Sequence, residues 1–217
     1  EAIGAKWNGK MAGTMSDAAV FAFYPNKQMT TGEGGIVVTD DENIAKLCMS
    51  LRNQGRGEDA QWLHHVRLGY NYRMDEMSAA LGIAQLERID EILSRRAQVA
   101  QWYMERLREV PGVILPYVDQ RAEMSWFVFV VRFEEGISRD RVMEGLLRRG
   151  VGCRPYFQPI HLQPFYVEMF GYREGDYPVT EKVANSTLAL PFFNSITEEL
   201  VEQVVEHLQT ELLAACR

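Results

Sequence analysis

Lys27 is the residue whose surroundings in the sequence point most directly to chemistry. It follows an apolar run of strand length, Ala19 to Tyr24, which stops at Pro25 because proline lacks the amide hydrogen a ladder needs. Beyond it, Gly32, Gly34 and Gly35 permit positive φ and close backbone approach, and Gly35 to Thr39 reads as a second strand buried on both faces. The chain holds five lysines (6, 10, 27, 46 and 182) against 18 arginines, so a lysine between two core strands is not explained by surface solvation alone. A lysine held among apolar neighbours becomes a usable amine nucleophile for Schiff-base chemistry. The competing reading is a loop lysine with its head in water.

Other polar residues offer less. Asn71, within Gly69-Tyr70-Asn71-Tyr72-Arg73-Met74, reads on propensity as a turn residue that satisfies its own backbone. Arg154 to His161 is an aromatic and polar stretch of the kind that lines a substrate cleft, although a histidine after proline is more often a loop residue and Arg154 suits a structural ion pair equally well. His64 and His65 are adjacent and cannot face one metal from a regular element. Cys48, Cys153 and Cys216 are far apart and include no Cys-x-x-Cys pair, so no metal site and no disulfide framework is expected.

The elements that must position these residues follow from pattern. Residues 6 to 18, with two glycines and several polar groups, read as a connecting loop. Asp40-Asp41-Glu42 opens a helix with Ile44, Leu47, Cys48 and Leu51 on one face. Asn53 to Leu68 reads as an irregular loop long enough for a lid or a subunit contact, with Trp62 as its anchor. Asp75 caps a single long helix expected from about Glu76 to Val110, ended by Pro111-Gly112. After it, Val113 to Leu115, Ser125 to Phe133 and Val151 to Phe157 are strand-like. Ser138 to Arg149 is helical with Val142, Leu146 and Leu147 inward, and Thr197 caps a last amphipathic helix. That is a small α+β domain joined to the first by the long helix, with boundaries at 1–95 and 96–217.

Phe21-Ala22-Phe23-Tyr24-Pro25-Asn26-Lys27 followed by Thr31-Gly32-Glu33-Gly34-Gly35 closely resembles the cofactor-lysine segment of the DegT/DnrJ/EryC1/StrS family of pyridoxal-phosphate-dependent sugar aminotransferases. The similarity continues in family order through Gly69 to Met74, Ala79 to Gly82, Gln85-Leu86, Arg154 to His161 and Leu190-Pro191. The resemblance implies an α/β fold: part of a fold-type-I, aspartate aminotransferase-like large domain, then a small α+β carboxy-terminal domain. It implies pyridoxal 5'-phosphate as cofactor, Lys27 as the catalytic and cofactor-binding amine, and Asn71 reaching across a homodimer to the cofactor phosphate of the other subunit. Arg73 and His161 are its substrate candidates. Glutamate as amino donor and a nucleotide-linked keto sugar as acceptor follow from the same likeness. Because Glu1 to Ala5 resembles the segment just after the strand that carries the ring-nitrogen aspartate, the chain is expected to be a carboxy-terminal portion.

Two departures bear on this. Many relatives carry serine where Ala22 stands, and alanine offers the phosphate no hydrogen bond. A minority branch that dehydrates sugars replaces the lysine with histidine, and Lys27 argues against that branch.

Composition bounds the classes. At 217 residues, 47% hydrophobic and 24% charged, the chain has the makings of a sizeable core, and its net charge of −7 gives no electrostatic reason to expect nucleic acid. No apolar run approaches a membrane span and no signal peptide is visible, so a cytoplasmic protein is expected. The alternatives to the aminotransferase are a catalytically silent fragment or regulatory homologue that keeps only fold and dimer contacts, and a binding protein in which Lys27 contacts an anion.

Overall fold

The computed structural model describes residues 1–58 and 62–215. In chain order the elements are β1 (Lys6–Trp7), β2 (Lys10–Met11), β3 (Ala19–Ala22), β4 (Gly35–Val38), α1 (Glu42–Arg52), α2 (Glu76–Glu87), α3 (Ile89–Leu107), β5 (Val113–Ile114), β6 (Ala122–Glu123), β7 (Phe129–Phe133), α4 (Arg139–Arg148), β8 (Arg154–Pro155), α5 (Pro164–Phe170), α6 (Pro178–Ser186), β9 (Thr187–Leu190) and α7 (Glu198–Ala215), with a 3₁₀ turn at Ile160–Leu162. They form two compact units, Glu1–Ser94 with Asp119–Phe127, and Arg95–Val118 with Val128–Arg217. The division falls inside α3. Residues 119–127 belong to the first unit rather than to the 96–217 domain expected from sequence.

The first unit opens with a hairpin, not a plain connection. Lys6 pairs with Met11 and Trp7 with Lys10. Between them Asn8 and Gly9 have φ of 49° and 75°, the two consecutive positive values of a two-residue type I′ turn, which Asn-Gly adopts readily. β6 joins the other edge of β1.

β3 and β4 are antiparallel, in register from Ala19 opposite Val38 to Ala22 opposite Gly35. Burial on both faces does not hold for them: Val20 is 71% exposed, and Ile36 and Val37 are exposed as well. A continuously apolar run marks a strand that can be covered twice. Among the described residues β3 and β4 pair only with each other, and Val20, Ile36 and Val37 are left open to solvent.

Asp41 caps α1, its carboxylate accepting from the N–H groups of Asn43 and Ile44 at 2.7 and 3.2 Å. The chain then doubles back. Gln54 N donates to Tyr70 O, Tyr70 N to Leu51 O, Tyr72 N to Arg52 O and Val66 N to Gly55 O, all within 2.8 Å. The expected irregular loop is therefore tied along the end of α1, apart from residues 59–61, which lie outside the described part. Trp62 does not anchor it. Its ring is 82% exposed, with the Arg56 guanidinium 5.8 Å away.

Asp75 caps α2 through the N–H groups of Met77 and Ser78, both at 3.0 Å. The single long helix is broken at Arg88, where φ −108° and ψ 12° leave the helical basin and the N–H turns to Gln85 O at 3.2 Å. No proline or glycine stands at the break. The sustained apolar spacing runs through it because one tightened turn shifts the phase little.

The second unit is a four-stranded antiparallel sheet in the order β5-β7-β9-β8. β7 points Phe129, Val131 and Phe133 into the core. Val142 and Leu146 of α4 and Val201 and Leu208 of α7 are buried with them, whereas Leu147, expected inward, is exposed. Tyr103 of α3 is fully buried, stacks on Phe129 at 4.8 Å and donates its hydroxyl to Pro191 O at 2.8 Å. Burial pushes its phenol well above the ordinary tyrosine value of 10.0.

Candidate functional site

Lys27 lies just past β3, in the loop that leads to β4, with its backbone N–H donating to Tyr24 O at 3.0 Å. The loop is held by its own threonines: Thr31 N and the Thr30 hydroxyl both donate to Phe23 O at 3.0 Å, and Gly32 N donates to Thr30 Oγ1 at 2.9 Å. The Lys27 side chain is only 14% exposed. Its Nζ pairs with the Glu1 carboxylate and stands 4.3 Å from the centroid of the Phe127 ring.

Gln28, next in the chain, is 3% exposed. Its amide donates to Glu1 O at 2.6 Å and to Ser125 O at 2.9 Å. The start of the chain and the segment leading into β7 are thus both fastened beside Lys27. Sequence reasoning missed Glu1, Gln28, Ser125 and Phe127. Only the buried-type setting of Gln28 had a local signal, since the other partners lie some 26 to 100 positions away.

Asn71 is exposed, bridges Asn53, and accepts a hydrogen bond from Arg73 Nε on Oδ1 at 3.0 Å. The two candidates are therefore brought together, and the carboxamide nitrogen of Asn71 is left to donate elsewhere. Tyr70 and Tyr72, on either side of Asn71, stack at 5.0 Å. Arg73 lines a cavity of about 930 Å³ with Ile36, Cys48, Arg52, Tyr72 and Ser78, and Lys27 does not line it. Ala22 stands opposite Gly35 at the end of the ladder and brings no hydroxyl.

His161 belongs to the second unit. It is buried, and its Nε2 lies 2.9 Å from Glu181 Oε1. The same carboxylate accepts from the N–H groups of Gly175 and Tyr177. The Gly175 hydrogen bond, more than His161, holds the Glu181 carboxyl below its usual range. The imidazole braces the 175–177 turn at the foot of α6 through Glu181, and it lines a cavity of about 640 Å³ with Tyr156, Phe157, Tyr166, Tyr172 and Tyr177.

Known proteins resemble this chain in sequence and in fold. GDP-perosamine synthase of Caulobacter vibrioides is 36% identical over 98% of this chain and 57% of its own length. The crystal structure of S. venezuelae DesV superposes with a TM-score of 0.86 at 32% identity, over 95% of this chain and 54% of that one. Spr1654 of Streptococcus pneumoniae in its PLP form superposes with a TM-score of 0.92 at 23% identity, over 99% of this chain and 56% of that one, a likeness of fold. The chain thus spans a little over half the length of the relatives it matches. With residues 1–209 matching the profile of the DegT/DnrJ/EryC1/StrS aminotransferase family, this chain belongs to that family.

Proposed function

We propose that the chain carries the lysine-bearing part of a pyridoxal-phosphate-dependent aminotransferase that transfers an amino group, with glutamate as donor, to a nucleotide-linked keto sugar. The observation that carries the reading is Lys27: a single amine, largely withdrawn from water in the loop between β3 and β4, in a chain of this family. The relative named GDP-perosamine synthase supports the nucleotide-sugar class.

The donor set suits the cofactor, since Lys27 offers one shielded primary amine for its aldehyde carbon, with a flat ring and a carboxylate beside it. When bound, pyridoxal phosphate supplies the electron sink that makes the substrate's carbon-bound proton labile. Lys27, whose Nζ is the shielded amine where the group would be held, would take that proton and return it as general base and acid. The Glu1 carboxylate accepts from Nζ and steadies the protonated form between the two transfers. Asn71, whose Oδ1 accepts from Arg73, would offer its amide N–H groups to the cofactor phosphate of the other subunit of a homodimer, Arg73 would meet an anionic part of the substrate, and His161 braces Glu181. A cytoplasmic location fits the free thiols of Cys48 and Cys153.

The test is an absorbance spectrum of the chain with added pyridoxal phosphate, then borohydride reduction and peptide mapping. The expected result is a visible-absorbing adduct trapped on Lys27, absent in Lys27→Ala and bleached by glutamate. An unmodified chain, or label spread evenly over Lys6, Lys10, Lys46 and Lys182, overturns the proposal.

A further inference from the structure

We infer that the first unit holds an oxyanion site, for the phosphoryl groups of a small ligand, between α1 and the loop that doubles back along its end. The site is separate from Lys27 and goes beyond the reading of that amine. A cavity of about 540 Å³ lies there, with Lys46, Ser50, Arg56, Glu58 and Arg67 on its wall, and neither Asn71 nor Arg73 borders it. Three cations thus meet one carboxylate, in a chain whose net charge is −7. Among the described residues none of the three cations is in an ion pair, and the exposed Glu58 leaves the wall net positive.

Backbone contacts, not acids, bring these cations to one place. Lys46 and Ser50 stand four residues apart on α1 and so share a face. Ser50 is buried, and its hydroxyl donates to Arg56 O at 2.6 Å. Arg67 N donates to Gly55 O at 3.3 Å, which sets Arg67 beside the residue before Arg56. Arg56 carries the stronger sign. Its Nη2 donates to Gln54 Oε1 at 3.2 Å, whereas its Nε is buried and has no hydrogen-bond partner. A buried donor without an acceptor is destabilising, and like charges around one cavity repel. An oxyanion held among the three relieves the repulsion and gives Arg56 an acceptor, the guanidinium supplying directed donors and Lys46 a point charge.

The test is calorimetric titration of the full chain with inorganic pyrophosphate at low salt. It needs neither cofactor nor amino donor, so its failure leaves the aminotransferase reading standing. The expected result is one saturable site, weakened roughly twofold to fivefold in Lys46→Gln and by a similar factor in Arg67→Gln, the range of an exposed charge contact. Both residues are exposed, so neither exchange opens a packed core. Lys182→Gln removes the same charge from the second unit and Arg73→Gln removes the other anion candidate; both should bind as the parent does. Titrations with UDP and GDP distinguish the sources of the phosphates. Affinities equal to that of pyrophosphate assign the site to the phosphates alone, and tighter nucleotide binding that falls to the pyrophosphate value in Trp62→Ala adds the exposed Trp62 ring, 5.8 Å from the Arg56 guanidinium, as a base platform. No saturable binding, an equal loss in Lys182→Gln, or a loss confined to Arg73→Gln overturns the inference.

Discussion

Gly55→Ala is the substitution whose cost the structure specifies most closely. Gly55 has φ +72°, and a Cβ there would lie 1.8 Å from Arg67 O and 2.7 Å from Arg67 C, both backbone atoms. Gly9 has nearly the same φ, +75°, with nothing within 4 Å of a Cβ. The pair separates strain from collision. Each alanine has to adopt a left-handed conformation, at about 1–2 kcal/mol. At Gly55 the Arg67 carbonyl must also retreat by about 1 Å. Gly55 O accepts from Val66 N at 2.8 Å and Arg67 N at 3.3 Å, so that movement loosens both bonds, at roughly 0.5–1.5 kcal/mol each. Gly55→Ala should then cost about 2–5 kcal/mol and Gly9→Ala about 1–2 kcal/mol. Urea unfolding measures the difference, and hydrogen exchange at Val66, Tyr70 and Tyr72 locates it. Equal losses in the two variants, or unchanged exchange at those amides in Gly55→Ala, would refute the reasoning. The same loop presents Asn71, so under the role proposed for Asn71 a positive result also predicts weaker pyridoxal phosphate binding in Gly55→Ala.

Tyr103→Phe keeps the stack on Phe129 and loses the bond to Pro191 O, so it should cost about 1 kcal/mol near neutral pH, read by urea titration. Because the folded phenol titrates above the unfolded value of 10.0, its contribution is complete below pH 10 and is lost as pH rises toward the folded value; the parent chain should lose stability in alkali more steeply than Tyr103→Phe. Glu181 titrates below 4.5 when folded, so its contribution is present above that pH and fades as pH falls through the folded value. Acid unfolding of the second unit should be less pH-dependent in Glu181→Gln. Leu188→Ala, in the centre of the second sheet and fully buried, should cost about 2–5 kcal/mol, measured by thermal or urea unfolding.

Features governed by neighbours in sequence were legible. Asp41, Asp75 and Ser138 cap the helices the patterns assign to them, because a carboxylate or hydroxyl two or three residues before the N–H groups it accepts from is a local fact. The Asn8-Gly9 turn was equally local, and reading residues 6–18 as a loop gave the glycines more weight than the Asn-Gly order. β9 was harder: Thr187–Leu190 is short, follows α6 directly and owes its strand state to pairing with β7 on one side and β8 on the other. The exposed faces of β3 and β4 were not legible at all, since an apolar pattern records what a strand can bury and not whether a partner is there.

The site divides along the same line. Lys27 and its flanking glycines announce themselves because the strand end and the tight turn that place this lysine are both written within 20 residues. Residue 1 and residue 127 both reach Nζ, and a neighbouring buried glutamine amide satisfies two carbonyls at once, those of Glu1 and Ser125. Those carbonyls have no sequence signature, and the phenylalanine beside Lys27 sits in a run that reads as sheet core. A shielded lysine is costly unless its charge has partners, so the partners are as much part of the site as the amine. That requirement ties the 125–127 segment to the first unit: Gln28 fastens Ser125, and two residues on the Phe127 ring stands 4.3 Å from Nζ, a contact that no residue of the lysine motif announces.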